Sequence, residues 1–83
     1  MEVLKNRVYR HFKGNYYIVL DIGFYTETNE KCVIYRALYE KGDIYIRPYT
    51  MFVSKVDKQK YPKASQMYRF ELVNIPSITS NVK

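Results

Sequence analysis

The stretch YYIVLDIGFYTETNEKCVIYRALY, Tyr16 to Tyr39, decides the fold. Its two arms, YYIVLDIGF (Tyr16 to Phe24) and KCVIYRALY (Lys31 to Tyr39), alternate at period two and are rich in β-branched and aromatic residues, so each reads as a strand. Between them YTETNEK sets Asn29 among charged neighbours, the composition of a hairpin loop. A third strand, DIYIRPY, follows the turn EKGD at Glu40 to Asp43, where Gly42 supplies the positive φ that a tight hairpin favours. Pro48 has no amide to donate, so this strand ends there or lies at an edge.

Upstream, YRHFKGNYY (Tyr9 to Tyr17) leads into the first clear strand. Downstream, YTMF (Tyr49 to Phe52) is too short for an ordinary helix and reads as a 3₁₀-type turn leading into VSKV. DKQKYPKASQ is expected as a mobile loop, MYRFELV (Met67 to Val73) as the strand that closes or extends the sheet, and PSITSNVK as a poorly ordered tail. A chain of 83 residues supports one core, so a single domain over residues 1–75 is expected, with a tail at 76–83. Five or six short antiparallel strands in so little chain point to an all-β fold, a small SH3-like barrel with the 3₁₀ turn before its last strand, because closure removes edges that a narrow sheet could not cover.

Fourteen Lys and Arg against eight Asp and Glu give a net charge of +6, a field that favours phosphate, nucleic acid or acidic partners. The excess is uneven: Met1 to Gly14 carry four cations and one anion, Lys55 to Lys63 again four and one, and the middle is near neutral. Cys32 is the sole cysteine and forms no internal disulfide, no apolar run approaches the roughly 20 residues of a membrane span, and MEVLKNR lacks a signal peptide's apolar core. The expectation is a cytoplasmic protein without membrane association.

YRHFKGNYY, then VL, TET, VIYRALY, RPYTMF and a late RF occur in the order found in a small bacterial family, and over Tyr9 to Phe70 the chain resembles the domain of unknown function 1653. The resemblance implies an SH3-like barrel and carries no activity. Members often have histidine where Tyr25 stands, and PKASQMY before Arg69 is longer than the family spacing.

Catalytic chemistry finds little to work with. His11 is the one imidazole and Cys32 the one thiol, and nothing in the sequence places them together; Cys32 inside a strand reads as a small buried hydrophobe. One histidine and one cysteine cannot supply a structural zinc set, and Gly14, Gly23 and Gly42 are isolated turn or bulge residues, so no metal and no cofactor are expected. Glu27 and Glu30 sit in a solvated loop. An enzyme is therefore the third reading, behind two non-catalytic ones.

What recurs is arginine beside tyrosine. Alternation puts Tyr45, Arg47 and Tyr49 on one face of the third strand and Ile44 and Ile46 on the other; with the isoleucines inside, the Tyr-Arg-Tyr line looks outward. On that assignment Ile46→Asp unfolds the domain and Arg47→Ala leaves it intact. Arg36 faces out if Tyr35 goes in with Val33 and Ala37; the reading preferred here places it at the barrel rim, near Glu71 or Asp21.

The first functional reading is a binding module for an anionic aromatic ligand, a nucleotide or single-stranded nucleic acid. Arg10, Arg36 and Arg47 would hold phosphate, Tyr9, Tyr39, Tyr45 and Tyr49 would stack, and Lys55, Lys58 and Lys60 would add diffuse attraction; His11 is either part of this site or a packing residue. The alternative is a protein-interaction or self-assembly module that binds a peptide or its own copy through the aromatic line.

Overall fold

The computed structural model describes residues 1–74 of the chain. Five strands form one antiparallel sheet: β1 (Val8–His11), β2 (Tyr16–Tyr25), β3 (Glu30–Ala37), β4 (Ile44–Pro48) and β5 (Phe70–Leu72), in the order β4-β3-β2-β1-β5. A single helical turn, α1 (Tyr49–Phe52), stands where the 3₁₀-type turn was expected and buries only Phe52. β1 pairs with both β2 and β5, so the YRHFKGNYY stretch is a strand and hairpin rather than a lead-in. The expected tail and the domain boundary at residue 75 lie outside the described residues.

The turns follow local chemistry. Asn29 adopts φ 59° and its amide donates to the Tyr25 carbonyl at 2.6 Å, closing the β2–β3 hairpin. Gly42 adopts φ 69°, the left-handed conformation that favours glycine at this turn. In β2 the register slips between Val19 and Asp21. The extra residue lets Val19 pair with Tyr35 and Ile22 with Val33, keeping both on the core face and adding twist.

The sheet curls into a barrel-like fold. β4 and β5 stand at opposite ends of the strand order, yet the Arg47 guanidinium lies 5.7 Å from the Phe70 ring centre. Closure comes from the chain after α1, where the Arg69 amide donates to the Ser54 carbonyl and the Val56 amide to the Met67 carbonyl, both at 2.8 Å. Phe52 and Phe70 stack at 4.0 Å in the centre, with Tyr9 and Tyr35 edge-on to Phe52 at 5.5 and 5.4 Å. Val3, Val19 and Val33 fill the remainder. Each fully buried ring of this kind contributes about 1.5–3 kcal/mol. The phenols in the core are satisfied: Tyr9 accepts from the Leu4 amide at 2.9 Å and Tyr35 from Arg47 Nε at 3.0 Å.

The phase of β4 is the reverse of the sequence expectation. Residues paired across a ladder share a face, and Tyr45 pairs with the buried Tyr35 while Arg47 pairs with the buried Val33. Tyr45 and Arg47 therefore point to the core side, and Ile44 and Ile46 are 50% and 69% exposed. The cause is register: Val33, Tyr35 and Ala37 all go inside, and β4 must follow β3. The same alternation exposes Arg36, which caps the turn by donating to the Gly42 carbonyl at 2.9 Å rather than meeting Glu71 or Asp21 at a rim.

Candidate functional site

One cleft, of about 470 Å³, gathers most of the convergent charge. β1 delivers His11, followed by Phe12 and Lys13; β4 delivers Arg47 from its core-side face; Arg69 comes from the residue before β5; and Lys55, Asp57, Lys60 and Tyr61 come from the connection after α1. The two basic segments of the sequence, far apart along the chain, thus meet at one place. Arg47 is held by its bond to Tyr35, and Arg69 by Nε donating to Ser54 Oγ at 3.2 Å. Among the described residues the one ion pair is Lys5–Asp21, so neither guanidinium is neutralised by a carboxylate. Asp57 turns its Oδ1 to the Gln59 amide at 3.0 Å, capping its own turn.

His11 is packed against Phe12 and Phe70 at 4.6 and 4.9 Å between ring centres. Burial, then the positive charges of Arg47, Arg69 and Lys13, lower its pKa to about 4. The ring is neutral at physiological pH, and because Nδ1 accepts the Lys13 amide at 3.1 Å, the proton sits on Nε2. His11 is at once a packing residue and a neutral hydrogen-bond donor lining the cleft.

Beside the cleft, and sharing Phe12, Lys13, Lys60 and Tyr61 with it, lies a hollow of about 380 Å³ completed by Pro62, Lys63 and Ala64. Its lining is mainly apolar. Phe12 and Tyr61 meet edge-on at 4.9 Å, and the Lys13 ammonium lies 5.9 and 5.4 Å from their respective centres. A cluster of cations thus adjoins an aromatic wall.

Of the residues the sequence singled out, His11, Arg47, Lys55 and Lys60 come together here, and the others do not. Arg10 donates to Gln66 Oε1, and Gln66 Nε2 returns a bond to the Arg10 carbonyl at 3.1 Å, so this arginine clamps the late loop. Lys58 donates to the Gln66 carbonyl at 2.9 Å in the same clamp. The segment expected as a mobile loop is thereby tied to β1. Arg36 stands on the opposite side of the sheet.

The tyrosines expected to stack are also placed elsewhere. Tyr9 is buried in the core. Tyr39 shares a 2.8 Å hydrogen bond with Tyr17, and Tyr45 leans on Tyr17 and Tyr35 at 6.4 and 5.9 Å. Tyr49 accepts from the Val3 amide at 3.1 Å and anchors the N-terminal segment. Sequence reasoning missed Phe12, Lys13, Tyr61 and Arg69. A signal was present in the interleaved KYPK at Lys60 to Lys63, but only the fold shows that it faces FK at Phe12 and Lys13.

Cys32, bonded through Sγ to the Glu30 carbonyl at 3.6 Å, borders a different depression from His11. Among the described residues no three His, Cys, Asp or Glu side chains gather as a metal site requires, and no helix is long and apolar enough to cross a membrane.

Comparison with known proteins agrees with the architecture. No curated protein matches the chain. The crystal structure of a DUF1653 protein from Bordetella bronchiseptica is similar, with a TM-score of 0.70, 30% sequence identity and coverage of 86% of this chain and 88% of that one. The family model described as protein of unknown function (DUF1653) matches residues 7–72, and with so much of its length accounted for, the chain belongs to the DUF1653 family.

Proposed function

We propose that the protein is a non-catalytic binding module for a phosphorylated ligand with a flat aromatic body, a nucleotide or a nucleotide of single-stranded nucleic acid. The observation that carries this is the cleft in which Arg47 and Arg69, neither paired to a carboxylate, stand with Lys55 and Lys60 beside an aromatic wall. Guanidinium groups bind phosphate oxygens through geometrically matched donors, and the neutral His11 Nε2–H adds a donor that needs no protonation. A base would lie against Phe12 and Tyr61, since ring stacking is tolerant of base identity. A catalytic role is disfavoured by the same chemistry: an imidazole with a pKa of about 4 is a weak base, and the thiol is elsewhere.

Calorimetric or NMR titration with inorganic phosphate, adenosine, adenosine monophosphate and a short oligonucleotide tests the reading. The monophosphate is expected to bind more tightly than either phosphate or adenosine alone. Arg69→Ala is expected to weaken it about 10- to 100-fold, the value of one charge-assisted hydrogen bond. An oligonucleotide should lose affinity with salt at a slope of about −0.7 per phosphate neutralised. Equal binding of adenosine and the monophosphate, or no binding of any of the four at millimolar concentration, overturns it.

A further inference from the structure

We propose that the outer face of the β2–β3–β4 sheet is the surface through which two copies of this chain associate. The inference is independent of the ligand reading, because it concerns the side of β4 opposite Arg47. On β2 this face carries Tyr16 and Ile18, on β3 Arg36 and Ile34 with Leu38 just past the strand's end, and on β4 Ile44 and Ile46, brought side by side by the pairs Ile18–Arg36–Ile44 and Ile34–Ile46. Tyr16, Leu38, Ile44 and Ile46 are 45, 48, 50 and 69% exposed. Beside them a depression of about 260 Å³ is bordered by Gly23, Cys32, Ile34 and Ile46, with Ile34 Cδ1 leaning to 3.2 Å from where a Cβ on Gly23 would stand.

Area and charge both point to a second copy. With roughly 200 Å² for a large apolar residue laid bare, the four most exposed side chains present on the order of 400 Å² of apolar surface, the size of patch that is functional on small proteins. A standard interface removes about 800 Å² per partner, a little over half of it apolar, so these four side chains supply most of the apolar share of one. Residues 16–48 carry five carboxylates and four cations, whereas the rest of the chain carries ten cations and three carboxylates. Two copies repel through their basic halves and approach without penalty through this nearly neutral one. The face itself holds two carboxylates, Glu30 at the start of β3 and Asp21 in the row beside Ile34, and two cations, Arg36 and the Lys5 that pairs with Asp21 at 3.7 Å. A surface bearing both signs is complementary to its own copy under a two-fold axis, and offers neither a basic nor an acidic macromolecule a net field.

The self-assembly alternative read from the sequence thus moves from the tyrosine line to the aliphatic side. Light scattering on the full chain, from about 5 μM to 1 mM, is expected to show the mass rising toward twice that of one chain. Ile46→Asp and Ile44→Asp, each still folded by circular dichroism, are expected to stay single at every concentration. Isotope-filtered NOEs in a mixed-label sample should connect methyls of Ile44, Ile46 and Leu38 between copies. A single-chain mass at 1 mM overturns the proposal. So does a dimer that survives both substitutions. Concentration-independent NOEs from Ile44 and Ile46 to residues 75–83 would likewise overturn it, by assigning the face to the chain's own C-terminal segment.

Discussion

Introducing aspartate at Val33 and at Ile46, thirteen residues apart in sequence and on opposite faces of neighbouring strands, separates the two possible phases of β4. Val33 is fully buried and pairs with Arg47; Ile46 is 69% exposed and pairs with Ile34. A carboxylate at 33 loses the burial of the valine, about 2 kcal/mol, and is desolvated in the core at a cost of several kcal/mol, which the Arg47 guanidinium across the ladder offsets only in part. That total is comparable with the whole stability expected for a domain of this length, about 0.05–0.15 kcal/mol per residue. At 46 less than a third of the isoleucine is covered, so at most about 1 kcal/mol of burial is lost. Up to another ~1 kcal/mol of strand preference goes with it.

Each kilocalorie lowers the melting temperature of a domain this size by about 4–8 °C. Melts by circular dichroism at a few micromolar, dilute enough to keep association out of the measurement, are expected to show Val33→Asp largely unfolded at 25 °C. Ile46→Asp should fold and melt about 5–15 °C below the parent. An unfolded Ile46→Asp beside a folded Val33→Asp would mean that β4 runs in the phase first read from the sequence, and the face assignments here would fail.

Two further outcomes follow from the cleft and its clamp. His11 is expected to titrate in the folded protein near pH 4, against 6.5 when unfolded. The unfolded chain takes up the proton first, so this site lowers stability as pH falls from about 6.5 to 4 and adds no further loss below that. A bound phosphate offsets the positive field of Arg47, Arg69 and Lys13, so the midpoint should rise on adding adenosine monophosphate; an imidazole titrating near 6.5 in free folded protein, followed by nitrogen-detected NMR, refutes this. Gln66→Leu removes a buried amide that serves Arg10 and the Tyr68 carbonyl, and is expected to cost about 2–4 kcal/mol and to speed amide exchange at Tyr61. Unchanged exchange there would show that the clamp does not order the loop.

The hairpin order and the barrel class were legible because Tyr16 to Tyr39 carries its periodicity openly, and Asn29 and Gly42 mark turns whose φ values only such residues adopt comfortably. β1 was harder: Val8 to His11 is four residues long with one fully buried side chain, Tyr9, too short to display alternation. The cleft was only half legible. His11 and Arg47 attracted notice through composition, but Tyr61 and Arg69 acquire their position from the Ser54–Arg69 pairing and the Gln66 clamp, long-range contacts that leave no local trace in sequence.

The phase of β4 was misread for a reason intrinsic to small barrels. DIYIRPY offers aliphatics on one face and phenols with an arginine on the other, and a hydrophobicity rule prefers the aliphatics inside. The rule fails because the core here is built from rings. Phe52 and Phe70 stack at its centre, Tyr9 and Tyr35 close around them, and each tyrosine places its body in the core while its hydroxyl finds a backbone or arginine donor. Register then obliges Tyr45 and Arg47 to follow Tyr35 and Val33 to the core side. One inversion has two consequences. It carries a guanidinium to the mouth of the barrel, where it meets Arg69 and His11, and it leaves Ile44 and Ile46 on the outer sheet without a covering layer among the described residues. A basic cleft on one side and an aliphatic face on the other are therefore products of the same ladder. A substitution that disturbs the outer face while sparing the register, such as Ile46→Asp, should abolish association and leave adenosine monophosphate binding within about twofold of the parent, because less than 0.5 kcal/mol of coupling is expected between distant sites that share no partner.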